Sequence, residues 1–134
     1  MKELNQLDLP EDLKYSKEHE WVREEGETVL IGITDFAQDQ LGDIVFVELP
    51  EEGTAFSIGE EFSNLESVKA VSEVYMPVSG QIIKVNVELE DAPELVNNDP
   101  YGEGWLIEVK PEDPSEMNEL LDKDGYFDML KGEE

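Results

Sequence analysis

No cysteine occurs among the 134 residues, so neither a disulfide framework nor a thiol nucleophile is available, and any redox chemistry has to come from a cofactor. There is one histidine, His19, which excludes a two-histidine metal site. A Ser–His–Asp arrangement would have to use His19 with a serine that nothing marks out. No run of about 18 apolar residues exists, so no helix is expected to span a membrane. Positive charge is scarce: nine basic residues face 35 acidic ones, for a formal charge of −26. Such a surface repels phosphate backbones and anionic lipid, which disfavours nucleic-acid and membrane roles. The stretch Met1 to Asp12 is acidic, without the apolar core of a signal peptide or the Arg-rich composition of a transit peptide, so a cytoplasmic protein is expected.

The length suits one domain, in which roughly two-thirds of the unfolded chain's surface can be hidden. Recurrent Val, Ile, Leu and aromatic positions argue for a folded core despite the charge. Thr28 to Ile33 and Ile44 to Leu49 read as strands rich in β-branched residues, the second ended by Pro50. Between them Thr34 can cap a short helix from Asp35 to Leu41, with Ile33, Ala37 and Leu41 on one side and Gly42 as its stop. Further strand-like runs are Glu61 to Val68, Val71 to Met76, Gln81 to Leu89 and Trp105 to Val109, punctuated by Gly53, Gly59 and Gly80. Near the end, Asp113-Pro114-Ser115-Glu116 reads as a capping box opening a helix with Met117, Leu120 and Leu121 as its apolar stripe and Gly125 as its end.

Gly42 to Leu49 is similar to Gly80 to Val87: Gly, Ile and Val recur at the same offsets, 38 residues apart. Alternation predicts that Val45, Val47 and Leu49, and likewise Ile83, Val85 and Val87, face a core. The repeat predicts two related half-sheets facing each other, with Lys69 in the connection between the halves. No carboxylate pair stands out for acid–base work among so many. Asp122-Lys123-Asp124-Gly125 echoes the start of a calcium loop but has no EF-hand spacing, and it reads as a turn. No glycine-rich phosphate loop is present. From the residues alone, Lys69, between Glu66 and Glu73, is an ordinary solvated lysine, and Val68-Lys69 is not a favoured hairpin pair.

Glu66-Ser67-Val68-Lys69-Ala70, followed by Met76-Pro77-Val78-Ser79-Gly80, resembles the lipoyl-attachment motif of the glycine cleavage H-protein family. Three more blocks resemble that family in the same order: Leu13-Lys14-Tyr15 with Glu18-His19-Glu20-Trp21-Val22, Gly32 to Pro50, and Asn97 to Leu106. Together they span most of Leu13 to Lys110. Biotin carriers set their lysine between methionines, whereas Val68 and Ala70 flank it here. Lipoyl domains of 2-oxoacid dehydrogenases usually read Asp-Lys-Ala and have neither the N-terminal block nor a C-terminal helix. Phe36 stands where many H-proteins carry histidine, so a role tied to that imidazole is not carried over.

The resemblance implies a mainly β fold, a barrel-sandwich hybrid of two related half-sheets with a C-terminal helix and short helical attachments. It implies one lipoyl-carrier domain over residues 1–134: an N-terminal segment 1–27, a lipoyl-binding core of about 28–110 and a C-terminal helical segment 111–134. Lipoate would be attached covalently to Lys69 at a hairpin tip. The chain would be a monomeric, non-catalytic carrier, passing the aminomethyl group of glycine from a PLP-dependent glycine decarboxylase to an aminomethyltransferase, and electrons to a dihydrolipoamide dehydrogenase. A lipoyl-attaching enzyme is a further expected partner, with Glu66 and Gly80 as candidates for its recognition, Gly80 through a backbone conformation closed to other residues. Glu20 and Glu73, with Glu18 beside them, are the expected lining of a cleft that shelters the loaded arm. Three other readings stay open: an H-like lipoate-binding protein of another pathway, such as lipoyl relay or sulfur oxidation, an unmodified acidic binding module, and a hydrolase using scattered carboxylates, for which the sequence offers no geometry.

Overall fold

A computed structural model of the chain describes Glu3 and residues 6–133. Met1, Lys2, Leu4, Asn5 and Glu134 lie outside the described residues, and with them part of the acidic N-terminal stretch and of the Glu133-Glu134 pair. Among the described residues nine strands are formed: β1 (Lys14–Tyr15), β2 (Glu20–Glu25), β3 (Thr28–Ile33), β4 (Ile44–Glu48), β5 (Ala55–Phe56), β6 (Glu61–Ser67), β7 (Val71–Tyr75), β8 (Gly80–Val85) and β9 (Ile107–Pro111). The helices are α1 (Asp35–Leu41), α2 (Glu88–Asp91), α3 (Leu95–Asn98) and α4 (Lys123–Glu133), with a 3-10 turn over Pro114–Glu119. One antiparallel sheet has the order β1-β2-β3-β9-β8-β5 and the other β4-β6-β7. Both contribute to a single apolar core, Ile31, Ile82 and Val109 from the larger and Ile44, Val47, Leu65 and Val74 from the smaller. The fold is the sandwich of two half-sheets that the sequence implies.

Local chemistry fixes the segment before the small sheet as expected. The Thr34 hydroxyl accepts the Ala37 N–H at 3.2 Å, and Gly42, at φ +78°, ends α1 with its N–H on the Gln38 carbonyl. Strand β2 pairs with β3 along its whole length, so the N-terminal segment is built into the larger sheet rather than appended to it.

The expected inward faces of the two repeats hold at Val47, Leu49 and Val85, which lie in or against the core, and are corrected at Val45, Ile83 and Val87. In β4 the buried residues are Ile44 and Val47, while Val45 and Phe46 are each more than half exposed. Around β8, Ile82 is buried and Ile83 and Val87 are exposed. The cause is a bulge in each strand, between Ile44 and Phe46 and between Ile82 and Lys84. One extra residue shifts the parity of alternation, so the side chains after it change faces. The two bulges fall at equivalent positions of the repeat, and the two copies lie one in each sheet. Strand β8 stops at Val85, and the rest of the expected strand winds into α2.

The C-terminal helix is also corrected. The 3-10 turn is followed by an extended Leu120, and α4 begins only at Lys123 and runs through Gly125. Two contacts break the expected helix. Leu121 exchanges backbone hydrogen bonds of 2.7 Å in both directions with Tyr15, which holds it extended. The Glu116 carboxylate does not return to residue 113; it accepts the Ser79 N–H at 2.7 Å and the Ser79 hydroxyl at 3.0 Å. Asp122, expected to close a helix, opens one by accepting the Gly125 N–H at 2.8 Å. On α4, Tyr126 is fully buried and stacks on Tyr15 with ring centroids 4.8 Å apart.

Gly80 has a negative φ and is needed for room instead: a Cβ there would sit 2.4 Å from Val109 Cγ1 and 2.5 Å from the Lys110 carbonyl oxygen. Gly80→Ala is expected to destabilise the fold by about 1–3 kcal/mol through overpacking. Chemical denaturation measures this, and an unchanged midpoint would show that β9 gives way freely.

Candidate functional site

Lys69 sits at the tip of the β6–β7 hairpin. The Ser67 N–H donates to the Ala70 carbonyl at 2.8 Å. The Ser67 hydroxyl oxygen accepts the N–H groups of Lys69 at 3.2 Å and Ala70 at 3.0 Å. This serine does the work that glycine or asparagine does in most tight hairpins, which is how Val68-Lys69 turns without a positive φ. The Val68 N–H donates to the Asp43 carbonyl at 3.1 Å, tying the tip to the loop between α1 and β4. The Lys69 stem passes Gly42, where a methyl group would meet its Cε at 3.5 Å. Lys69 is exposed, and its ammonium has no ion-pair or hydrogen-bond partner among the described residues. A flexible stem bearing a free amine on a tied-down turn is what acylation of a lysine needs.

Beside the hairpin lies a cleft of about 420 Å³. Its walls are Glu18, His19 and Glu20 on one side, Phe36 and Leu41 of α1 on another, and Leu65, Ser72 and Glu73 of the hairpin on a third. Three of the acids expected around an arm are therefore brought together. Ser72 and Glu73 are three and four residues from Lys69, about 10–13 Å along a strand rising roughly 3.3 Å per residue. A second cavity, of about 370 Å³ and lined by Thr28, Pro111 and Met117, has no residue of the hairpin in its wall. Glu66 is exposed on the outer face of the small sheet, between Phe46 and Val71. Gly80 lies in the other sheet, opposite Phe56 and Pro111 and beyond the base of the hairpin, so it does not join the Lys69 neighbourhood.

Glu20 is the one acid of the cleft that is buried, at 2 % exposure. The Ser16 hydroxyl donates to Oε1 at 2.6 Å, and the Tyr75 N–H approaches Oε2 at 3.4 Å. Burial pushes the carboxyl up to about 8 against the opposite pull of those two hydrogen bonds, and Glu18 adds a little to the rise. With no cation beside it Glu20 is mainly neutral at pH 7, and a neutral amine arriving there can take its proton and pair with the carboxylate. The exposed Tyr75 phenol is held above its usual range chiefly by Glu73, then by slight burial and by Glu61, Glu18 and Glu20, so these carboxylates share one negative patch.

His19 is in the left-handed region, at φ +72°, which turns the chain from β1 into β2. Its ring packs on Phe36 at 4.8 Å, and Nδ1 lies 2.8 Å from the Tyr126 hydroxyl, which also meets Thr34 Oγ1 at 2.8 Å. Helix α4 thus props the cleft wall from behind. Ser16, Ser67 and Tyr126 went unnoticed in the sequence. Only the Ser67 position, next to an ill-suited turn pair, held a readable signal. Among the described residues no cluster of histidines and carboxylates is arranged to hold a metal, and no helix is long and apolar enough to cross a membrane.

A family model described as glycine cleavage H-protein matches residues 13–133. The glycine cleavage system H protein of Thermus thermophilus is 54% identical over 127 residues, covering 95% of this chain and 99% of that one. That of Halalkalibacterium halodurans is 57% identical over 125 residues, covering 93% and 98%. Among solved structures, the crystal structure of a glycine cleavage system H protein from Mycobacterium marinum superposes with a TM-score of 0.84 at 40% identity, covering 92% of this chain and 99% of that one.

The raised Glu20 carboxyl has a consequence for stability. The folded state holds this proton up to about pH 8, whereas the unfolded chain releases it near 4.5. Stability from this group is therefore complete below about pH 4.5 and is lost as the pH rises to about 8. The difference between parent and Glu20→Gln should drift by a few kcal/mol over that window, in favour of the glutamine variant at high pH. Urea denaturation of both proteins at several pH values measures it, and a pH-independent difference would mean Glu20 is ionised throughout.

Proposed function

The chain belongs to the glycine cleavage H-protein family, and on that premise we propose that it is the lipoyl-bearing carrier of a glycine cleavage system, with lipoate in amide linkage to Lys69. The observation that carries this reading is an unpaired, exposed Lys69 on a tied hairpin tip whose own strand lines an acidic cleft. A lipoyl group supplies a ring disulfide that takes up and returns electrons and a one-carbon cargo. The chain's part is to hold, aim and shelter. Its partners are the other proteins of the glycine cleavage system: the decarboxylase, the aminomethyltransferase and the dihydrolipoamide dehydrogenase, together with the enzyme that attaches lipoate.

The residues divide these tasks. Ser67 fixes the turn, so Lys69 projects from a constant point. Phe36, Leu41 and Leu65 give the cleft an apolar wall against which a hydrocarbon arm can lie. Glu20 waits at the inner side as a neutral acid held by Ser16. A glycine-derived amine brought there takes the Glu20 proton and is held as an ammonium–carboxylate pair, with Glu73 and Glu18 adding negative potential. Withdrawal into the cleft keeps water from an amine that would otherwise be lost between enzymes.

Two measurements test this. Peptide mass mapping after incubation with a lipoate ligase should find the adduct on Lys69 alone and none on Lys69→Arg; an adduct elsewhere overturns the assignment. For the cleft, Glu20→Gln keeps shape but removes the charge. A hydrogen bond to a charged group is worth roughly 1.5–3 kcal/mol, so docking should weaken about ten- to a hundredfold. With the amine loaded and the enzymes removed, ammonia should appear faster from the variant, and equal rates would remove Glu20 from the role.

A further inference from the structure

The outer face of the three-stranded sheet carries apolar side chains where a solvated surface would carry polar ones. Phe46, Glu66 and Val71 lie opposite one another on β4, β6 and β7, and so share that face. Phe46 is 52% exposed and Val71 is 62% exposed. Val45 at the β4 bulge is 53% exposed, and Val68, next to Lys69, is 70% exposed. Asp43, Glu48 and Glu66 stand exposed among them. The apolar group therefore begins at the lysine itself and is bordered by carboxylates.

The internal repeat shows that this exposure is not imposed by the bulge. The position equivalent to Phe46 is Lys84, whose ammonium lies over the Trp105 ring at 6.0 Å. In the larger sheet the bulged strand is thus finished by a charged side chain. In the smaller sheet the same position holds a bare phenyl ring, on a chain with few apolar residues to spare on its surface. Exposed aromatic and branched residues with a charged border are the composition of a docking patch.

We propose that Phe46 and Val71, with Val45, Val68 and the flanking Glu66, form the docking surface for the lipoyl-attaching enzyme, whose complementary face has an apolar centre and a basic rim. This rests on Lys69 being the attachment site. Of the expected partners, only that enzyme must bring its reacting carbon to the lysine Nζ. There the amide C–N bond forms as the C–O bond between the lipoyl carbonyl and AMP breaks, and Nζ gives up a proton. Its surface is thereby forced against whatever surrounds the hairpin tip. The shuttle enzymes meet the far end of the arm and can stand off. A second copy of the chain is a poor occupant, since two bodies of charge −26 repel. A basic-rimmed enzyme face is matched both by the border acids and by that overall charge.

The test uses the full chain with lipoate, ATP and a lipoate–protein ligase, and reads initial rates of Lys69 lipoylation against carrier concentration. Phe46→Ser and Val71→Ser remove side chains that are more than half in water, so circular dichroism should stay near the parent's and the melting temperature should fall by a few degrees at most. Each variant should lose about tenfold in kcat/KM, mostly through KM, as loss of a central interface residue does. Ile83→Ser, at the exposed position equivalent to Val45 in the other sheet, should lipoylate at the parent rate. Variants loaded by prolonged incubation should then serve the decarboxylase as well as the parent does. Parent-like lipoylation kinetics in both Phe46→Ser and Val71→Ser would overturn the patch while leaving Lys69 in place. An equal fall in the decarboxylase assay would overturn its assignment to the attaching enzyme. Absence of lipoylation on the parent would instead overturn the reading of Lys69.

Discussion

A carboxyl group removed from water has to be neutralised, hydrogen-bonded or paired, and the arrangement around Glu20 follows from that constraint. Its side chain stands where β2 of the larger sheet meets β7 of the smaller, and its two oxygens take a hydroxyl from one side and a backbone N–H from the other. The turn that places Ser16 for this needs a left-handed residue, and His19 adopts that conformation. His19 in turn is steadied by Phe36 and by the Tyr126 hydroxyl, which requires α4 to be docked. Burying one acid thus explains why a short N-terminal hairpin, a helix from the far end of the chain and the lysine-bearing hairpin converge on one spot. A cleft built around an acid that prefers to be neutral favours a base that can take its proton, since an ammonium–carboxylate pair then replaces the neutral acid.

The sequence made much of this legible where chemistry is local. Helix α1, its Thr34 cap and its Gly42 stop follow from neighbouring residues, and so does strand β3. The motif around Lys69 carried the family and the proposed attachment site, although the residues of that segment taken alone describe an ordinary lysine. What stayed hidden depends on contacts distant in sequence. The bulges in β4 and β8 turned Val45 and Ile83 outward, and an alternating pattern contains no mark of an inserted residue. The C-terminal helix was misplaced because Glu116 was engaged 37 residues away, by Ser79, and Leu121 was held extended by Tyr15. Gly80 was read as a backbone requirement when the reason was the nearness of β9. Ser16 could not be singled out, since its importance comes only from what Glu20 is denied.

The two halves of the fold have specialised differently from one repeated pattern. The larger sheet has the shared core on one face, and at its β1–β2 end Trp21 and Tyr15 pack with Leu9, Leu13 and Tyr126 in a second cluster, while Ile83 of β8 stays exposed. The smaller sheet covers only its inner face. It is the half that holds Lys69, one wall of the cleft and the exposed group of Val45, Phe46, Val68 and Val71.

The serine-built turn has a consequence for how far and how often an arm carried on Lys69 would work. Because Ser67 and Asp43 pin the tip, the pivot is nearly stationary and all freedom lies in the chain of single bonds beyond the lysine backbone. The end of that tether explores a fixed small volume which includes the cleft. Its local concentration there is set by covalent length, on the order of millimolar for a short flexible link, however dilute the protein is. A cleft whose intrinsic Kd for the arm is below roughly that concentration would be occupied most of the time, and a partner would compete with an intramolecular equilibrium that dilution cannot shift.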